Sequence, residues 1–190
     1  MRRFTPTLIV LATVAQAALA PTAAFATDYL SAEEAQKLMF ADASALTPIS
    51  VSLSPEQTAA IQARAHGLLN THFWNVWKVT RGDANLGYFA TDAVIGKFQL
   101  INYAVGFSAD GSIKDIEILA YRESHGAEVR TDSWRKQFVG KTAKASLAIG
   151  DDIANISGAT LSCTHLTEGI RRLTVYIELL AGQTFESGAR

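Results

Sequence analysis

The sequence predicts an α+β fold: an antiparallel sheet formed by a strand meander and packed by helices, with a two-helix N-terminal extension and a long C-terminal helix. Three observations carry this. Apolar, strand-like runs follow one another from about residue 73 to 121, with an Asp-Gly turn between two of them. Two helix-start signatures precede those runs. After them, Leu166, Ile170, Leu173, Ile177 and Leu180 recur at three- and four-residue steps, which makes one apolar helix face.

In chain order, Ser31-Ala32-Glu33-Glu34 places a capping Ser three residues before a Glu. It predicts a short helix to about Phe40 with Ala35, Leu38 and Met39 on its buried side. A loop containing Pro48 is expected next. Ser54-Pro55-Glu56-Gln57 repeats the signature with Pro at the first helical position. The second helix is expected to reach about Leu69 through Ala60, Ile61, Arg64 and Leu68. Strands are expected at Phe73–Thr80, Leu86–Val94, Phe98–Phe107 and Ile113–Tyr121. In the last of these Ile113, Asp115 and Glu117 should face away from Ile116, Ile118 and Ala120. A polar stretch from Glu123 to Glu128 follows, then a short helix at Trp134–Phe138 ended by Gly140. The long helix begins near Thr160, with Arg171 and Arg172 on its polar side.

The first 26 residues read as a secretory signal peptide. Arg2 and Arg3 form a basic start, Leu8 to about Ala20 is apolar, and Ala24-Phe25-Ala26 is an A-x-A cleavage pattern. The apolar run is short for a bilayer span of about 20 residues, and Pro21 follows it. Removing 26 of the 190 residues leaves 164, and the loss of two arginines takes the formal charge from −1 to −3. The expected organisation is a signal peptide at 1–26, the helical extension at 27–70, the main domain at 71–182 and a tail at 183–190. The mature chain is expected to be soluble in the periplasm.

Composition removes several function classes. A net charge of −1 gives no dominant basic field for nucleic acid. One cysteine excludes an internal disulfide, a CxxC redox pair, a four-cysteine zinc site and a CxxCH haem attachment. At 48% hydrophobic residues the chain is not intrinsically disordered.

The segment richest in chemistry is Asn155-Ile156-Ser157-Gly158-Ala159-Thr160-Leu161-Ser162, a small-residue loop opening an amphipathic helix. Ser157 and Thr160 offer hydroxyls, and Gly158 allows a positive φ. A helix N-terminus presents unpaired N–H groups and a positive dipole end, which suit a phosphate. An ordinary helix cap would use the same residue types.

Ser157-Gly158-Ala159-Thr160 resembles the S-G-A-T flavinylation motif of the FMN-binding domain family, which includes the C subunit of the sodium-translocating NADH:quinone reductase and the G subunit of the Rnf complex. Further similar stretches are Ile95-Gly96-Lys97, Tyr103-Ala104-Val105-Gly106, Ile118 to Gly126, Trp134-Arg135 and Gln137 to Lys141, so the resemblance covers roughly Leu86 to Leu180. Ala154 stands six positions before the threonine, where many members have aspartate. Ser124 and His125 stand where members of the membrane complexes usually have a Pro-Gly-type turn. The resemblance is to a free-standing exported member.

That resemblance implies FMN joined by a phosphoester to Thr160 by an extracytoplasmic flavin transferase that takes FMN from FAD. It implies a cofactor site containing Thr160, Ser157, Gly158, Ala159, Leu161, Ser162, Glu123, His125, Gly126 and Trp134. It also implies electron carriage to and from a membrane or periplasmic redox partner, rather than catalysis by a stand-alone enzyme. An FMN-bearing reductase of a small molecule and a non-flavinylated binding or assembly module are the alternatives. Arg130, Arg135 and Lys141 either offset phosphate charge or lie on the surface. His165 and Glu168 make no recognisable metal motif, no G-x-S-x-G elbow supports a hydrolase, and Cys163 fits a small buried apolar position.

Overall fold

The computed structural model describes residues 27–65, 71 and 74–182. The expected signal peptide, the expected end of the second helix including Leu68, and the expected tail at 183–190 lie outside the described residues. The sheet contains β1 (Thr27–Asp28), β2 (Ala45–Ile49), β3 (Asn75–Arg81), β4 (Ala84–Ile95), β5 (Leu100–Ser108) and β6 (Ile113–Tyr121) in the order β1-β6-β5-β4-β3-β2. All pairings are antiparallel, and β3 to β6 form the expected meander.

The N-terminal segment is more than a helical extension, because it supplies the strand at each edge of the sheet. β1 pairs with Ala120 and Tyr121, and β2 pairs with β3. Pro48, expected in a loop, sits within β2. The edge position explains this: a residue with no N–H to donate is tolerated where one side of the strand has no neighbour.

Helix α1 (Ala32–Met39) begins with the predicted capping box, with Ser31 and Glu34 bonded to each other's backbone N–H groups. It covers one face of the sheet with Ala35 and Met39 buried beside Phe89, Ala104 and Leu119. Leu38, expected inside, is 63% exposed. Helices α2 (Pro55–Ala65) and α4 (Thr160–Gly182) lie on the opposite face. The predicted apolar face of α4 is there, with Leu166, Ile170, Leu173 and Ile177 fully buried. Each such side chain contributes about 1.5–3 kcal/mol relative to exposure. Arg171 and Arg172 do not simply face solvent. Arg171 donates to the carbonyls of Ala65 and Ser146, and the Arg172 side chain is 15% exposed.

Ile113, expected to face away from Ile116 and Ile118, is buried in the same cluster as both. The register gives the reason. Phe107 pairs with Ile113 and Gly106 with Asp115, so Lys114 is an extra residue and the alternation resets there.

Between β6 and α4 the chain makes a short 3-10 turn at Ala127–Arg130 and the single-turn helix α3 (Asp132–Arg135), shorter than the expected Trp134–Phe138. Arg135 fastens this segment to the sheet. It pairs with Glu117 and Asp132 and donates to the carbonyls of Ile116 and Arg130.

Candidate functional site

The N-terminus of α4 meets the β4–β5 turn and the loop after β6, and an open cavity of about 390 Å³ lies between them. Lys97, Phe98, Glu123, Ser124, His125, Gly158, Ala159, Thr160, Leu161 and Ser162 line it. Residues distant in sequence therefore converge on one cavity. The volume is within the range of small-molecule sites, about 300–1,000 Å³.

The approach to α4 is a tight turn. The Ala159 N–H donates to the Ile156 carbonyl at 3.0 Å, with Gly158 at φ 81° in the third position. A left-handed residue there is why glycine follows Ser157. The Cys163 N–H donates to the Ala159 carbonyl and begins the helical ladder, so the N–H groups of Thr160, Leu161 and Ser162 precede it. The first turn carries no acidic side chain to satisfy its dipole. Thr160 is exposed on the cavity wall, and its Oγ1 accepts a hydrogen bond from Asn155 Nδ2 at 3.0 Å.

The opposite wall is held by a carboxylate. Glu123 Oε1 accepts from the backbone N–H groups of Phe98 at 2.6 Å and Gln99 at 2.9 Å. Partial burial raises the Glu123 pKa, but the N–H groups of Gln99, Phe98 and Lys97 and the charge of Lys97 outweigh it, so the group lies below its usual range. A Cβ at Gly96 would lie 2.7 Å from Glu123 Oε1 and 3.0 Å from Ser162 Oγ, so these side-chain ends would have to shift to admit a larger residue. His165 Nδ1 lies 2.6 Å from the Ile95 carbonyl, an acceptor, so this nitrogen carries a proton and ties the turn to α4. Because the native pKa of Glu123 is depressed, its clamp stabilises the turn above the ordinary glutamate pKa of about 4.3. That contribution is lost as pH falls through the lower native value. Glu123→Gln should accelerate amide exchange at Phe98 and Gln99 at neutral pH, read by hydrogen-exchange NMR, while core amides such as Val105 keep their protection.

The 123–126 loop is fixed to α4 through Tyr121. Its hydroxyl donates to the His125 carbonyl and lies 3.1 Å from Ser162 Oγ. Since a carbonyl only accepts and tyrosine has one proton, the Ser162 hydroxyl donates in this pair. Gly126 has φ 88°, and a Cβ there would lie 2.5 Å from Ala159 Cβ and 2.6 Å from the Tyr121 hydroxyl. Gly126→Ala should therefore lower the melting temperature by more than the ordinary cost of about 1 kcal/mol for a strained glycine replacement. It should also broaden the NMR signals of Ala159 and Thr160.

The cavity thus gathers Thr160, Gly158, Ala159, Leu161, Ser162, Glu123 and His125 from the expected set. Ser157 is exposed in the turn just before it, and Gly126 lies behind the wall. Trp134 is elsewhere: it is buried against Phe138, and its Nε1 donates to the Ala154 carbonyl at 2.8 Å. The three basic candidates also have other partners. Arg130 stacks on Tyr29, Arg135 braces the sheet, and Lys141 pairs with Asp152 at 3.1 Å. Lys97, part of the family-like Ile95-Gly96-Lys97 stretch, is the lysine on the cavity wall. Phe98, expected to open a strand, instead lies in the turn before β5 and joins the site, which the sequence did not indicate. It is 73% exposed, and Leu161 across the cavity is 46% exposed.

Fold and site together define a domain that presents a helix N-terminus, an exposed threonine and two exposed apolar side chains to a small-molecule cavity. Residues 96–174 match the model of the FMN-binding domain family. The chain is also 30% identical over 105 residues to the G subunit of the ion-translocating oxidoreductase complex of Erwinia tasmaniensis. That match covers 50% of this chain, and the chain spans about half (49%) of the relative's length. The residues present fit FMN: Phe98 and Leu161 supply apolar surface, and Lys97 with the α4 N-terminus supplies positive potential for a phosphate. Among the described residues there is no cluster able to hold a metal ion, and no helix is long and apolar enough to cross a membrane.

Proposed function

We propose that this chain is an exported electron-transfer flavoprotein that carries FMN through a phosphoester to Thr160. The observation that carries the reading is the position of Thr160: its hydroxyl is exposed on the cavity wall, at the N-terminus of α4, within the S-G-A-T tetrapeptide and the matched segment. Bound FMN supplies one- and two-electron redox chemistry. The chain's own groups position and insulate it. The first-turn N–H groups of α4 and Lys97 favour the phosphodiester charge, and Phe98 and Leu161 cover apolar ring surface.

A covalent link retains the cofactor in a compartment that does not make it, and a flavin transferase using FAD is the partner that would install it. The similarity to a subunit of an ion-translocating oxidoreductase complex supports electron exchange with a membrane or periplasmic redox partner. Export rests on the leader-like first 26 residues, and cleavage after Ala26 would leave β1 whole. Co-expression with a flavin transferase, followed by intact mass and a visible spectrum, tests the attachment. Rapid reduction by a haem or flavin partner without turnover of small acceptors is the result expected of a carrier. Steady turnover of a small acceptor would instead make it a reductase.

A further inference from the structure

We infer that Asn155 is a positioning residue for the modification of Thr160, aiming the hydroxyl oxygen that is to be joined to phosphorus. The inference rests on the flavinylation reading above. A threonine hydroxyl has one proton and two acceptor lone pairs. In this chain one lone pair of Thr160 Oγ1 is taken by the Asn155 side-chain amide at 3.0 Å. That bond selects among the staggered positions open to a threonine side chain. It leaves the hydroxyl proton unengaged by Asn155, which donates here and does not accept.

Asn155 is itself placed by a brace. On the preceding residue, Ala154, the carbonyl accepts from buried Trp134 Nε1 at 2.8 Å, and the N–H donates to Gln137 Oε1 at 2.7 Å. Both directions of the backbone next to Asn155 are thus fixed by α3 and the residues after it. The chain then turns back at Gly158, which brings Thr160 within reach of the Asn155 amide. Trp134 therefore acts on the site through Ala154 and Asn155, although it does not line the cavity.

In the transfer step, Thr160 Oγ1 attacks the phosphorus of the FMN half of FAD. A P–O bond to Thr160 forms, the P–O bond to AMP breaks, AMP leaves, and the threonine proton passes to a base on the transferase. No electron is gained or lost. An N–H pointing at Oγ1 steadies the oxygen as its proton departs, so the effect should fall on turnover rather than on recognition of the chain.

The test uses the full-length chain, purified without flavin, with a flavin transferase and FAD; flavinylation is followed by intact mass. Asn155→Ala should lower kcat for the acceptor chain by about 3- to 10-fold, the scale of one hydrogen bond, with KM little changed. Asn155→Asp should be equally slow because the donor is lost. Its melting temperature should match or exceed the wild type, since an acid near a helix N-terminus is favourable. A slower yet equally stable Asp variant separates positioning from folding. Wild-type rates in both variants, or a fast Asp variant, would overturn the inference. If the wild-type chain itself takes no flavin while a control acceptor does, the flavinylation reading fails and the inference falls with it.

Discussion

Replacing Thr160 by alanine should abolish covalent flavin while the fold persists. The substitution removes one exposed hydroxyl at the first residue of α4, where it accepts a hydrogen bond from Asn155. Alanine is a good helix former and leaves the buried face of α4, from Cys163 through Leu180, untouched. Stability should change by less than about 1 kcal/mol, the range of an exposed site away from the core. Circular dichroism and the melting curve should therefore overlay the wild type, whereas the mass of the co-expressed protein should lack the flavin. Thr160→Ser keeps a hydroxyl and should retain modification. Ser157 and Ser162 cannot replace Thr160 in this reading. Ser157 lies in the turn before the helix, and the Ser162 hydroxyl is buried against Tyr121.

Arg135→Ala should destabilise the protein by about 3–5 kcal/mol, the cost of removing one partner of a largely buried ion pair. The guanidinium side chain is only 12% exposed and Glu117 17%, so little water is available to replace the lost partner. The same group satisfies the carbonyls of Ile116 and Arg130, which would be left without their donor. Chemical denaturation would measure the loss. Replacing Glu117 with glutamine keeps an acceptor and should cost less. The effect should also reach the site, because Arg135 adjoins Trp134, whose indole N–H fixes Ala154 ahead of the Thr160 turn. Arg135→Ala should then slow flavinylation of the fraction that remains folded.

Local signals made much of this legible. The capping box at Ser31–Glu34, the meander and the periodic face of α4 are short-range patterns, and each is present. The parts that were not legible depend on distant partners. That Pro48 lies in an edge strand follows from β2 finding β3, and the burial of Ile113 follows from a bulge across β5 and β6. Leu38 is exposed because α1 is short and turns Ala35 and Met39 to the sheet. At the site, Thr160, Glu123 and His125 could be named from a motif and a loop. The partners of Arg130, Arg135 and Lys141 could not, because charge alone does not tell a phosphate ligand from a structural brace. Glu123 shows the same limit: the loop was visible, but its hydrogen bonds to the Phe98 and Gln99 backbone required the hairpin in place. Trp134, which the resemblance implies as a cofactor residue, instead gives its indole N–H to the backbone next to Asn155.

Everything proposed for the cofactor turns on a phosphoester between FMN and the Thr160 hydroxyl. The decisive measurement is tandem mass spectrometry of the proteolysed chain, co-expressed with a flavin transferase alongside a control acceptor. The expected result is FMN less one water on the peptide containing Ser157 to Thr160, with fragment ions placing it on Thr160. An unmodified peptide beside a flavinylated control, or flavin mapped to another residue, would contradict it.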